Sequence, residues 1–374
     1  MLGHNAPRLK RNTPTFTRRP DVPRGFPLVG NGLGGWPRRK TEPPDAWTLT
    51  VDITAAGQDW TVRIAAGTGI ALVIDWGDGL IERFYAIGNK THIYNQQGRY
   101  YPKISGGFAS GGIIRFGEIV GNRARLKATS IVPMIPGLAT FSYTFQSCTG
   151  LTSLPADLFR YNTAVSTSGF YGTFQNCTRL TSLPADLFRY NTAVSTSGFN
   201  TTFQNCTGLT SLPTDLFRYN TAVSTAGFYS TFYGCAGLTS LPDALFQYNV
   251  AVSMFGFNTT FQNCTGLTSL PADLFRYNIA CTSFNNVFQN CNKLQLRSDI
   301  FFPAGGETTR FLNQSVDFTN AMSIGTFTGT QGTAPALWDC TYGTGTPTTT
   351  TCFTGHSLAS VTNYASIPTA WGGA

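Results

Sequence analysis

One motif returns along this chain at a nearly fixed period, and that limits the fold more than anything else in the sequence. Phe-Gln-Ser/Asn-Cys-Thr-x-Leu-Thr-Ser-Leu-Pro begins at Phe145 and recurs at Phe174, Phe203, Phe232 (with changes), Phe261 and, decayed, Phe288. The steps are 29 residues, and 27 for the last. A unit of this size has an apolar face that it cannot bury alone. Stacking on the next copy buries it, so the period predicts a solenoid. Such stacks serve mostly as recognition surfaces, which moves the expectation from catalysis toward binding.

In the unit from Phe174 to Thr202, the apolar set is Cys177, Leu180, Leu183, Leu187, Phe188, Val194 and Phe199. Leu-x-x-Leu with a nearby Cys fits leucine-rich-repeat logic, a short strand plus a helical turn per coil. Thr181-Ser-Leu183 is the predicted strand. Pro184 to Tyr190 is the predicted helical turn, with Pro at its first position. Asp186 and Arg189 stand three apart, as an ion pair would, and so do Asp157/Arg160, Asp215/Arg218 and Asp273/Arg276. The fourth copy has Ala244 and Gln247, so both partners are lost together, and the arginines read as structural. Cys148, Cys177, Cys206, Cys235, Cys264 and Cys291 form one column. Coils about 4.8 Å apart would not forbid a disulfide, but parallel side chains point alike, so a reduced ladder of core thiols is expected. Cys281 takes the Val194 position, in the core, while Cys340 and Cys352 bracket a Gly/Thr-rich loop where bridged and free forms are both open. Asn-x-Thr matches such as Asn176-Cys-Thr178 are taken as products of the repeat.

Positions that differ between near-identical copies are candidate contacts: Ser168, Ser197, Ala226, Phe255; Tyr171, Asn200, Tyr229, Asn258; and Gly172, Thr201, Ser230, Thr259. The Tyr171, Asn200, Tyr229, Asn258 row has the composition of an adaptable binding surface; drift at exposed sites would look the same. Leu296 to Phe301, Pro335 to Trp338 and Pro368 to Trp371 read as worn later copies, and Leu126 to Pro133 as an opening coil.

The formal charge is +8, but residues 1–46 hold nine bases and three acids, so the rest is nearly neutral and a nucleic-acid reading is weak. This segment also has eight prolines. It is predicted to be an extended arm, either a plain tail or one that orders against a neighbour through Arg18, Arg19, Arg24, Phe26 and Trp36. No signal peptide, membrane span or anchor is read. The three histidines, His4, His92 and His356, form no metal or nucleophile motif, so no cofactor and no enzyme is expected. A hydrolase would need paired carboxylates, and most repeat acids are taken up by the Asp–Arg pairs.

From Trp47 the texture is that of short strands: Trp47–Thr54, Trp60–Ile64, Ile70–Ile74, then Leu80–Tyr85 after the turn Asp75-Trp-Gly-Asp-Gly79. The order Ile74-Asp-Trp-Gly-Asp-Gly79, His92-x-Tyr94, Gly98-x-Tyr100 resembles the polycystic-kidney-disease (PKD) type β-sandwich over residues 47–105, a structural module of surface proteins. Asp75 and Asp78 offer too few oxygens for calcium and read as acceptors of turn N–H groups. The Phe-x-x-Cys-x-x-Leu-x-x-Leu-Pro units, with Gly332-Thr-Ala-Pro-Ala-Leu-Trp338 and Asn363-Tyr-Ala-Ser-Ile-Pro368, resemble BspA-type leucine-rich repeats over 106–374, with longer coils than usual. The resemblance implies a mainly β chain of arm, sandwich and repeat solenoid in a bacteriophage virion or bacterial surface protein. A virion protein assembled in the host cytoplasm needs no export signal, so the expectation is a phage structural protein. Its arm would bind other virion proteins, and its repeats would bind a host-surface glycan or protein as a tail fibre or tip. The alternatives are a capsid decoration protein and a bacterial adhesin.

Overall fold

Strand β1, Trp47–Ile53, alternates buried and half-buried residues along its length, the period of a strand with one face on a core. In this computed structural model residues 44–302 and 308–373 are described, so the arm residues Arg18, Arg19, Arg24, Phe26 and Trp36 lie outside them. The next strands are β2 (Gln58–Thr68), β3 (Ala71–Asp75), β4 (Ile81–Phe84), β5 (Gly88–Tyr94), β6 (Gly98–Tyr100), β7 (Lys103–Gly107), β8 (Ser110–Arg115) and β9 (Leu126–Thr129). They pair antiparallel in two sheets, β4-β3-β7-β1-β6 with β9 also on β1, and β5-β2-β8. The arrangement is compatible with a β-sandwich. It reaches past residue 105, because β8 and β9 are part of the sheets.

The core between the sheets is aromatic. Trp60 packs edge-on to Trp76 at 6.3 Å and stacks on Phe116 at 5.8 Å. The motif residues of this region form one cluster: Trp76 lies over His92 at 5.2 Å, His92 meets Tyr94 at 4.5 Å, and Tyr94 meets Tyr100 at 4.1 Å. The Tyr94 hydroxyl donates to the Trp76 carbonyl at 2.9 Å. Asp75 accepts the Gly77 N–H and Asp78 that of Leu80, and the other Asp78 oxygen sits 2.6 Å from His92 Nε2.

The same core continues into the repeats. Trp47 touches Phe116, Phe141 and Phe145 at 5.0, 6.4 and 5.7 Å, and its indole N–H donates to Thr129 Oγ1. Phe116 N–H donates to Thr144 O and Thr144 Oγ1 donates to Ile114 O, so the end of β8 pairs with the first repeat. Buried Asn122 fixes the corner by bonding Thr61 on both sides and Phe116 O. The segment Leu126 to Pro133, expected as an opening coil, supplies β9, and beyond it Val132 N–H donates to Leu158 O.

Each repeat lies on the next through columns of identical side chains. Phe145, Phe174, Phe203, Phe232, Phe261 and Phe288 stack at 5.4–5.6 Å. Phe159, Phe188, Phe217, Phe246 and Phe275 stack at 6.0–6.2 Å. From Phe159 to Phe275 the second column is the wider of the two. Phe301 continues the second column at 5.5 Å from Phe275, as its echo of the motif predicts.

The backbone corrects the sequence reading. Thr181–Leu183 forms no strand and makes one inter-coil backbone bond, Thr181 N–H to Thr152 O at 3.3 Å; Pro184–Tyr190 forms successive turns rather than a helix. The dense ladder runs instead over 168–176. There Ser168, Phe170, Gly172, Phe174 and Asn176 donate N–H to the next coil at 2.7–2.9 Å, while the N–H groups between them close turns three residues back. This alternation needs left-handed backbone at every fourth residue, and Ser168, Gly172 and Asn176 have φ of 52°, 58° and 60°. Small residues and Asn recur there because they tolerate that conformation.

Side chains sew the coils in the opposite direction. Thr202 Oγ1, Cys206 Sγ and Asn220 Nδ2 each donate to a Phe carbonyl of the coil before, at 2.7, 3.1 and 3.1 Å. All nine cysteines are free thiols, Cys340 and Cys352 included. Burial pushes the ladder thiols up, to about 12 for Cys177, Cys235 and Cys291. Cys281 is buried and takes the Val194 turn bond, its N–H donating to Asn278 O. At the far end Trp371 is buried and its carbonyl accepts Phe353 N–H. No helix of the described residues is long and apolar enough to cross a membrane.

Candidate functional site

The ladder segment turns Phe170 and Phe174 inward and leaves Tyr171, Gln175 and Asn176 half-buried on the outside. Stacking repeats this pattern in three outward rows. The first is the candidate row Tyr171, Asn200, Tyr229 and Asn258. Tyr171 meets Tyr143 at 5.2 Å, and the Arg115 guanidinium lies 5.1 Å from the Tyr143 ring. Burial, and then the hydrogen bond to Tyr171, push Tyr143 up to about 12. Tyr229 is 36% exposed, Asn258 is 8% exposed, and the Oδ1 atoms of Asn200 and Asn258 are buried without a partner.

The second and third rows are amide ladders. Gln146 donates to Gln175, Gln175 to Gln204, and Gln262 to Gln289. Asn205 donates to Asn176 and Asn290 to Asn263, both at 2.9 Å, in the opposite direction. Both ladders stop at the fourth coil, where Tyr233 replaces Gln and Gly234 replaces Asn. Four amide atoms facing that coil have no hydrogen-bond partner among the described residues: Gln204 Nε2, Asn205 Oδ1, Gln262 Oε1 and Asn263 Nδ2.

The fourth coil departs elsewhere too. The ion pairs Asp157–Arg160, Asp186–Arg189, Asp215–Arg218 and Asp273–Arg276 lie at 3.5, 3.3, 3.3 and 3.3 Å. Each of Arg160, Arg189 and Arg218 also sits between two tyrosine rings, for example Arg189 at 5.8 Å from Tyr190 and 5.3 Å from Tyr219. Gln247 breaks that edge. Phe255 is 47% exposed with φ of 57°, a costly conformation for a bulky residue, and neighbours exposed Met254. The coil after it is two residues shorter between Asn278 and Phe284, and the ladder bonds expected from Phe255 and Phe257 are missing.

Two open grooves lie near Arg297, lined by residues including Gln295, Asp299 and Thr333, and by Asp243, Asp273 and Tyr277. Arg297 and Asp299 satisfy each other at 2.6 and 2.8 Å, and that contact holds the Asp299 carboxyl below its usual range. His356 is buried against Ser360 and Met322 O, and its desolvation lowers it. Among the described residues no three His, Cys, Asp or Glu side chains gather to hold a metal.

Sequence reasoning found the variable row but missed the amide ladders and the buried Asn162, Asn191, Asn220, Asn249, Asn278 column. Their signal was present: Gln-Asn and Arg-Tyr-Asn recur in the copies, and Tyr233-Gly234 departs from them. The chain matches no protein-family model, no curated protein and no solved structure.

Proposed function

We propose that the chain is a non-enzymatic structural protein of a bacteriophage virion whose repeats, a solenoid of the BspA leucine-rich type behind a PKD-like sandwich, bind the host surface. The observation that carries this reading is the ladder face. Its rows of Tyr, Asn and Gln are held in register by backbone bonds from one coil to the next, so the face is pre-organised within a single chain. The virion setting rests on the resemblance of the sandwich and repeat motifs. Tail fibre or tip is the first assignment. A capsid decoration protein is the second, favoured by the nine bases of residues 1–46, which suit an acidic capsid surface. The arm residues Arg18, Arg19, Arg24, Phe26 and Trp36 are the proposed contacts to other virion proteins.

The test is competition. Purified full-length protein added to host cells should slow adsorption of the phage that carries it. Undiminished adsorption at saturating protein, with an antibody to residues 145–290 labelling no particle, would remove the virion and receptor-binding reading together. Label over the head would select the decoration protein.

A further inference from the structure

We propose that the fourth coil carries a binding site for a neutral sugar residue, centred on Tyr233 and Gly234. This rests on the host-surface reading and names its ligand class. The interruption of both amide ladders leaves two donors, Gln204 Nε2 and Asn263 Nδ2, and two acceptors, Asn205 Oδ1 and Gln262 Oε1, unused by the ladders on either side of the fourth coil. A sugar hydroxyl both donates and accepts, so neighbouring hydroxyls complement such a mixed set. Tyr233 and Tyr229 sit four residues apart, the period of the outward positions, and are half-buried and exposed respectively, so an aromatic ring is available at the surface for the C–H face of a pyranose.

The gap is made by the glycine. A Cβ at Gly234 would run into Asn205 Oδ1, so the amide leans into the space the missing side chain leaves. Backbone geometry does not require glycine here. Its φ of 69° is close to the 57°, 60° and 61° of Asn205, Asn176 and Asn263 in the same column. Asn258 adds an acceptor beside Tyr229 whose Oδ1 is buried and unpartnered, a group that a ligand hydroxyl would satisfy. No charged side chain stands in the three rows across coils two to five, which selects a neutral ligand over a sialylated or phosphorylated one. The phenylalanine column beneath the gap steps 5.6 and 5.5 Å to either side, so the flanking amides stand two coil steps apart.

The test uses full-length protein on an array of neutral hexose and N-acetylhexosamine oligosaccharides with sialylated and phosphorylated members. The variant Y233Q/G234N rebuilds the sequence of the other copies. It should fold with an unchanged or higher unfolding midpoint, because both ladders close, and lose neutral-glycan binding by about tenfold or more. Tyr233→Gln alone serves if the double variant fails to fold. Binding undiminished in a folded variant, binding confined to charged glycans, or no binding on the array would each overturn the sugar site. Host-cell binding separates the two levels: if it persists in Y233Q/G234N, the sugar site falls and the host-surface reading stands. If the wild-type protein binds no host cells, both fall.

Discussion

The sandwich and the repeat stack bury similar side chains by opposite means. In the sandwich each contact is made once. Trp76, His92, Tyr94 and Tyr100 form a single cluster, and Asn122 alone joins Thr61 to Phe116. In the stack every contact is a copy: one phenylalanine on the next, one thiol to one carbonyl, coil after coil. In the first region a residue tells about itself. In the second the sequence informs through its departures, and the fourth coil collects them: Tyr233, Gly234, Ala244, Gln247, Met254 and Phe255.

The contrast is sharpest at high pH, because the six ladder thiols all lie in the stack and the described strands contain no cysteine. Burial raises the thiols to about 12 at Cys177, Cys235 and Cys291, and raises Cys206 well above its ordinary value too. Below the unfolded value, about 8.5, both states keep the proton and stability is flat. Above it the unfolded chain ionises first. Stability of the stack then falls as pH rises toward the folded values, by about 1.4 kcal/mol per pH unit for each thiol. Urea midpoints measured between pH 7 and 10.5 should drop steeply above about 9, and Cys206→Ala should remove one thiol's share of the slope. A slope untouched by that substitution would mean the ladder does not carry the effect.

Truncating one aromatic in each region breaks the comparison directly. Trp47→Ala removes contacts to Phe116, Phe141 and Phe145 and the bond to Thr129, at the junction of the two regions. Phe203→Ala opens a cavity between Phe174 and Phe232. Each should cost about 3–5 kcal/mol. W47A should lower the midpoint of the whole transition, whereas F203A should split it, because a repeat touches only its neighbours. The check is denaturation followed by hydrogen exchange on peptides from both regions. A single unsplit transition for F203A would show the stack to be one cooperative unit with the sandwich.

Much of this was legible in the sequence. The period gave the stacking, and the columns of Phe and Cys are the ones that pack. The strand was misplaced because Leu-Thr-Ser-Leu alternates like a strand. The segment that makes the ladder, with Gly172 and Asn176 at its turns, looks like a loop. What decides is where backbone N–H groups go. Left-handed residues every fourth position turn alternate N–H groups toward the next coil, and apolar spacing does not record that. Tyr233-Gly234 was visible as a departure, but its meaning depends on Gln204 and Gln262 standing on either side, which only the stacked backbone supplies.

The smallest predicted effect tests whether a departure is tolerated for the fold or kept against it. Phe255 holds φ of 57° where the equivalent residues are Ser168, Ser197 and Ala226, and it is 47% exposed, so it gains only part of what a core phenylalanine gains from burial. A left-handed bulky residue costs about 1–2 kcal/mol, part of which glycine returns as unfolded-chain entropy. Phe255→Gly should therefore raise the urea midpoint by the equivalent of about 0.5–1 kcal/mol. The ladder bond from this position is already missing, and the turn bond that remains, Asn258 N–H to Phe255 O, uses backbone atoms that glycine keeps. A gain in stability would show that the stack carries Phe255 at a cost. A loss would show instead that the ring packs over the shortened corner at Asn278–Phe284, and the fourth coil's departures would then be partly structural.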